Sequence, residues 1–102
     1  MHAPPIQLNR ETVAEFCRRN SIRRLALFGS VLTERFSDSS DVDVLVEFEP
    51  AANVGYLRMA AMEREFSEIL GGRKVDLRTP NELGAYFRDE VLRTAAVQYA
   101  TE

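Results

Sequence analysis

The feature that most constrains the fold is an alternating segment at residues 41–48, in which valine or phenylalanine occupies every second position. In a β-strand, successive side chains point to opposite faces, so these apolar residues share one face. Asp41 and Asp43 share the other face, and Pro50 ends the segment. The chain must therefore build a sheet that covers the valine face and leaves two carboxylates accessible on the opposite face.

A Gly-Ser pair precedes this strand at a fixed distance. Gly29 and Ser30 are followed by ten residues and then by Asp41-Val42-Asp43. The four fixed residues of this pattern are the glycine, the serine and the two aspartates. They arise at this spacing by chance in roughly one chain of this length per thousand. Glycine lets the backbone approach a phosphate closely, while exposed amides and the Ser30 hydroxyl can bind phosphate oxygens. The pattern favours a site for a nucleoside triphosphate.

A third carboxylate, Asp76, lies in a second short apolar run at residues 73–77. Asp41 and Asp43 repel each other at close range, and a divalent cation removes that conflict. Mg²⁺ prefers oxygen ligands, and a two-metal site activates the attacking oxygen. If the strand of Asp76 lies beside that of Asp41, the three carboxylates form a magnesium site. An acceptor hydroxyl would then attack the α-phosphorus of the triphosphate in line.

The rest of the chain alternates helical and extended patterns. Asn9 can cap a first helix, and residues 79–82 combine a capping box with proline at the first helical position. The predicted elements are a helix at 9–20, a strand at 22–28, a helical turn at 31–36, a strand at 41–48, a helix at 53–70 and a strand at 74–77. Helical structure is expected from 79 nearly to the C-terminus, with a break near Arg88. This order predicts a small α/β (α+β) domain.

Composition limits the classes of protein to which the chain can belong. A chain of 102 residues is expected to form one domain, 1–102, and Pro4-Pro5 favours a flexible arm over residues 1–8. The net charge of −3 argues against stable binding to nucleic acid. The single cysteine, Cys17, allows no intramolecular disulfide, and no apolar run reaches membrane-spanning length. These features predict a cytoplasmic protein that does not enter the membrane.

Residues 28–32 and 40–48 together resemble the minimal nucleotidyltransferase (MNT) family of the polymerase-β superfamily. Residues 74–77, followed by Thr79-Pro80, are similar to the third-carboxylate strand and final helix of that family. The resemblance extends over about residues 22–100. It implies a minimal polymerase-β-like domain, in which helices pack on a short mixed sheet.

The resemblance also implies a function and a set of site residues. Proteins of this kind resemble antitoxins that assemble with a HEPN-domain ribonuclease toxin and silence it by transferring AMP from ATP to a toxin tyrosine. Gly29 and Ser30 would bind the triphosphate. Asp41 and Asp43 would bind Mg²⁺, and Asp76 would complete the metal site and act as base toward the acceptor hydroxyl.

Two questions stay open at this point. Family members often carry a basic residue soon after the Gly-Ser pair, whereas Thr33 and Glu34 stand there, so neither Arg35 nor Lys74 has an assigned role. Lys74 is expected on the strand face opposite to Asp76. The alternatives to protein adenylylation are an antitoxin that only binds and occludes its toxin, and a transferase for small molecules, which would usually need an additional acceptor domain.

Overall fold

The computed structural model describes residue 6 and residues 8–101 of the chain. Most of the predicted arm at 1–8 lies outside the described residues, but Ile6 and Leu8 are partly buried against the core. Short 3-10 turns occupy Gly29–Leu32 and Pro80–Glu82. The regular elements are α1 (Arg10–Arg19), β1 (Ile22–Phe28), β2 (Val42–Phe48), α2 (Tyr56–Ile69), β3 (Val75–Arg78), α3 (Ala85–Thr94) and β4 (Ala96–Ala100).

The four strands form one mixed sheet in the order β3-β2-β1-β4. β1 pairs antiparallel with both β2 and β4, whereas β2 and β3 run parallel. The predicted fold class, helices packed on a short mixed sheet, is therefore confirmed. The register sets Phe28 opposite Asp43, and Asp43 opposite Asp76.

One face of the sheet, here called the closed face, packs against α1 and α2. The three valines of β2 are fully buried there, as their alternation predicts. Phe16 of α1 and Phe66 of α2 meet at the centre, with ring centroids 5.0 Å apart. Cys17 is also buried on this face, and burial raises the pKa of its thiol to about 12. The thiol therefore acts as a small apolar group in the core.

The opposite face, here called the open face, has a much smaller apolar cluster. Phe28 and Leu45 of the sheet contact Leu83 and Val91, which come from the segment after β3. Because this cluster covers only part of the sheet, the remainder of the open face stays accessible beside α3. Asp43 lies on this face, since its neighbours in β2 point to the closed face.

The helix ends follow local sequence rules. Asn9 Oδ1 accepts a hydrogen bond from the Thr12 backbone N–H at 3.0 Å, and α1 ends before Asn20, both as predicted. Glu82 Oε1 accepts from the Thr79 N–H at 2.9 Å, so the predicted capping box is present.

The prediction of helical structure from Thr79 nearly to the C-terminus, with a break near Arg88, is wrong in two places: the break lies at Gly84, and the last segment is a strand. The capped turn lasts only for Pro80–Glu82, an extended Gly84 interrupts the chain, and α3 then runs for ten residues. A fourth strand, β4, follows where helix was expected. Its physical cause is the free edge of β1, whose backbone groups need partners. Val97 and Tyr99 favour extended backbone, and β4 satisfies that edge by antiparallel pairing.

The edge of the sheet at β3 has a different arrangement. The Leu77 backbone N–H donates to Glu63 Oε2 of α2 at 2.9 Å. A helix side chain thus occupies an edge amide of the sheet.

Within the described part of the chain, no helix is long and apolar enough to cross a membrane.

Candidate active site

The Gly-Ser turn lies directly against the carboxylates. Gly29 follows the last residue of β1 and has a φ of +77°, a conformation that favours glycine. A Cβ built on Gly29 would overlap Asp43 Oδ2. Thr33 donates to the Ser30 carbonyl through both its N–H and its hydroxyl, each at 2.9 Å, which fixes the turn. Glycine is therefore required here for its backbone angle and for the contact with Asp43.

The predicted carboxylates form a row with this turn across three neighbouring strands. β1 ends beside Asp43 of β2, and Asp43 is in register with Asp76 of β3. Adjacent strands are about 4.8 Å apart, so the row from Gly29 to Asp76 spans about 10 Å. Asp41 precedes β2 by one residue, two positions before Asp43. The structure thus places Gly29, Asp43 and Asp76 side by side, while Ser30 and Asp41 are placed there only as chain neighbours of Gly29 and Asp43.

Asp43 is partly buried and has two other carboxylates near it. Burial raises the pKa of Asp43 above its ordinary value of 3.8, and the negative charges of Asp76 and Asp41 raise it further. Arg78 acts in the opposite direction. A cation at this position would relieve both the burial cost and the repulsion. The donor set therefore fits a hard divalent ion such as Mg²⁺, which prefers carboxylate oxygens.

Lys74, which directly precedes β3, and Arg78, its last residue, flank Asp76 and pair with the outer carboxylates. Arg78 Nε and Nη2 donate to Asp76 Oδ2 at 3.2 and 3.1 Å. Lys74 Nζ lies 3.9 Å from Asp41 Oδ2. In the described residues, no three His, Cys, Asp or Glu side chains converge closely enough to hold a metal together. Asp41 and Asp76 are instead engaged by cations of the chain itself.

The predicted orientation of Lys74 is wrong. Residues two positions apart on a strand share a face, so Lys74, Asp76 and Arg78 all point toward the site. The same period-2 rule would have identified Arg78 from the sequence. Arg35 is exposed on the loop after the Gly-Ser turn, where only its backbone N–H bonds to Thr33 Oγ1, at 3.2 Å, within the described chain.

The chain is similar in sequence to a known domain family and to named proteins. The nucleotidyltransferase domain family matches residues 10–97, a range that includes all five predicted site residues. A Methanocaldococcus jannaschii protein named as a protein adenylyltransferase is 30% identical over 77 residues, which cover 76% of this chain and 80% of the relative. The protein adenylyltransferase MntA of Thermococcus cleftensis is 34% identical over 79 residues, covering 78% and 77%.

Solved structures show the same architecture. A minimal nucleotidyltransferase structure superposes with a TM-score of 0.68 at 35% identity, covering 84% of this chain and 85% of the other. A crystal structure of a toxin–antitoxin with AMP-PNP gives a TM-score of 0.72 at 20% identity, covering 93% and 76%. The second likeness concerns the fold alone.

Proposed function

The chain belongs to the nucleotidyltransferase domain family, and on that basis we propose that it transfers AMP from ATP to a tyrosine hydroxyl of a HEPN ribonuclease toxin in a Mg²⁺-dependent reaction. The similarities to known proteins confirm the predicted MNT resemblance. One observation carries the proposal of catalysis: Gly29 leaves no room for a Cβ against Asp43, and Asp43 is in register with Asp76. The Gly-Ser turn, Asp43 and Asp76 therefore lie side by side on three neighbouring strands, which supports the proposal.

In this proposal each part of the row has one task. Gly29 and Ser30 bind the β- and γ-phosphates through backbone amides and the hydroxyl. Asp41, Asp43 and Asp76 are the carboxylates that would hold Mg²⁺, which would neutralise charge on the triphosphate oxygens. The acceptor oxygen forms a bond to the α-phosphorus, the bond from that phosphorus to the β-phosphate oxygen breaks, and pyrophosphate leaves.

The acceptor proton passes to Asp76 in this scheme. Arg78 bonds to Asp76 Oδ2 only, and within the described chain Oδ1 has no hydrogen-bond donor. Oδ1 is therefore the oxygen that can accept the proton while Arg78 fixes the carboxylate. Positioning of the reactants and charge neutralisation supply most of the acceleration in such a reaction.

Support for the partner comes from the relatives. One is named protein adenylyltransferase MntA, and structural neighbours include an MntA–HepT toxin–antitoxin crystal structure. By analogy the chain would assemble with its toxin as a hetero-oligomer in the cytoplasm. The acidic net charge of −3 fits a protein acceptor better than a nucleic acid.

The direct test is AMP transfer from labelled ATP with Mg²⁺ and the partner toxin. We expect label on a toxin tyrosine, and Asp43→Asn should slow transfer by about 100-fold or more, since it removes charge from the centre of the row. Asp38→Asn is the matched control, because this fully exposed aspartate lies in the turn before the row. Equal labelling by Asp43→Asn and the control would contradict the proposed site.

A second candidate is an antitoxin that acts by occlusion alone. Its support is the exposure of large apolar side chains, with Tyr56, Leu57 and Tyr86 at 92%, 88% and 97%. Such side chains can form a partner interface. An Asp41→Ala/Asp43→Ala double variant that neutralises the toxin at an unchanged dose would favour occlusion, whereas loss of neutralisation would favour catalysis.

A further inference from the structure

A groove of about 560 Å³ runs along the edge of β3, immediately beside the row of site residues. Its floor is apolar and includes Val54 and Met59, and Tyr56 stands at its mouth. Asp76 lines the groove as well as the active site. The groove is therefore continuous with the reacting centre, and a molecule bound in it would reach Asp76 directly.

The order of the row determines which reactant this groove can receive. Gly29 and Ser30 lie at the β1 end, where the triphosphate and the departing pyrophosphate belong. In-line displacement requires the attacking oxygen to approach the α-phosphorus from the side opposite to the leaving group. That opposite side is the β3 end, whose residues Asp76, Leu77 and Arg78 line the groove. The acceptor, and not the nucleotide, therefore enters from the groove.

The charges of the groove indicate the chemistry of the acceptor. Glu63, Asp76 and Glu82 contribute three carboxylates to its lining, against one guanidinium from Arg78. Glu63 accepts a hydrogen bond from the Leu77 backbone N–H, and Glu82 accepts one from the Thr79 N–H. These bonds hold both carboxylates in position at the groove. A phosphate backbone would be repelled by this lining. A polypeptide with cationic side chains around an aromatic hydroxyl complements both the apolar floor and the acidic walls.

We propose that this groove is the acceptor-binding surface, and that its occupant is a polypeptide segment in which arginine or lysine flanks the reacting tyrosine. The inference rests on the proposed protein adenylylation and identifies the surface that selects its substrate. Tyr56 packs against the segment from the mouth of the groove, while Glu63 and Glu82 attract its basic residues.

The first test measures binding without catalysis. A synthetic peptide with one central tyrosine and two flanking arginines is titrated into the full ¹⁵N-labelled chain, with neither ATP nor metal present. We expect amide shifts confined to the groove, around Val54, Tyr56, Met59 and Arg78. The same peptide with glutamates in place of the arginines should bind about 10-fold more weakly or not at all. Absent shifts, shifts at the Gly29 end or equal binding of both peptides would overturn the proposal.

The second test uses a pair of exposed tyrosines. Tyr56→Ser should weaken the arginine peptide about 10-fold, whereas Tyr86→Ser, on α3 outside the groove, should leave its affinity unchanged. Both side chains are largely exposed, so neither substitution removes core packing. An equal loss in the two variants would overturn the assignment of the groove.

A kinetic measurement separates this inference from the proposed function. In the AMP-transfer assay, Tyr56→Ser should raise KM for the arginine peptide about 10-fold and leave KM for ATP unchanged. A rise in KM for ATP instead would make the groove a nucleotide pocket and overturn the inference. If no acceptor is labelled at all, the proposed function fails, while peptide binding still decides whether the groove takes a basic segment.

Discussion

The two faces of the sheet divide the tasks of stability and chemistry between them. In the described chain, fourteen buried apolar residues form the closed-face cluster, whereas the open-face cluster has four. Three carboxylates that repel one another lie on the sparsely packed open face. The densely packed closed face therefore supplies most of the free energy of folding, which offsets the cost of holding like charges together on the open face.

The largest expected effect is the loss of stability when a buried side chain of the closed face is truncated, compared with the same kind of change on the open face. Phe66→Ala on the closed face should cost about 3–5 kcal/mol of unfolding free energy, because Phe66 is fully buried against Phe16. Leu83→Ala on the open face should cost about 2 kcal/mol, since the sparse cluster can relax around the change. Urea unfolding measures both values. Equal losses would show that the open face contributes as much stability as the closed face.

The next prediction concerns the contact between the turn and the carboxylates. Gly29→Ala should reduce AMP transfer by about 100-fold, because the new Cβ displaces Asp43. It should also cost about 1–2 kcal/mol of stability from the positive φ. Gly84→Ala is the control, since Gly84 has negative φ and open space around its Cβ position. A Gly29→Ala enzyme as active as the control would contradict the proposed role of the contact.

The pH dependence of stability tests whether the open face holds unfavourable charge. The unfolded chain releases the Asp43 proton near the ordinary pKa of 3.8, whereas the folded chain retains it to higher pH. The free energy of unfolding of the wild type therefore falls as pH rises from the ordinary pKa to the raised pKa of Asp43. It does not recover at higher pH. Asp43→Asn escapes this loss, so its Tm should exceed that of wild type at pH 7 without metal.

Thermal unfolding from pH 3 to 8 in the presence of a chelator measures this difference. The Tm advantage of Asp43→Asn should disappear as pH falls below the ordinary carboxyl range, because both states of wild type then carry the proton. Asp38→Asn, which removes an exposed charge, should show no such crossover. An advantage that grows on acidification would have the wrong sign for a carboxyl with a raised pKa.

The smallest expected effect concerns the cations on β3. Arg78→Gln should tighten Mn²⁺ or Mg²⁺ binding to the nucleotide-free chain by about 1.5- to 5-fold, the range expected for a partly exposed ion pair. Titration calorimetry measures this change, and Lys74→Gln should give a smaller one because its pair is longer and more exposed. Arg64→Gln on the exposed surface of α2 is the control. Weaker metal binding by Arg78→Gln would show that Arg78 organises the site for the metal.

The sequence predicted the structure best at residues 41–48, where the two-residue repeat of a strand decides both which side chains are buried and which face the site. The alternation in residues 41–48 predicts the valines in the core and Asp43 on the open face, as the structure has them. The position of Asp76 beside Asp43 depends on the pairing of β2 with β3, which the sequence leaves as a condition. The two-residue repeat itself places Lys74 and Arg78 on the face of Asp76.

The C-terminal region was less predictable because its structure depends on a distant edge. Leu83, Val91 and Leu92 recur at mostly helical spacing, and the capping box at Thr79 is present, so the local pattern predicts helical structure with a break near Arg88. The local pattern does not contain the requirement of β1 for a second neighbour. Pairing with β1 turned residues 96–100 into a strand, and the groove beside Asp76 likewise exists only after β3 has docked on α2.

The hydrogen bond from the Leu77 N–H to Glu63 has a consequence for solubility. An unprotected edge strand invites a second copy to add its own strand, which leads to aggregation at high concentration. At Leu77 an incoming strand would have to displace a carboxylate before it could accept that amide. The side of the sheet that must stay open to an acceptor is thereby made a poor template for joining two copies edge to edge.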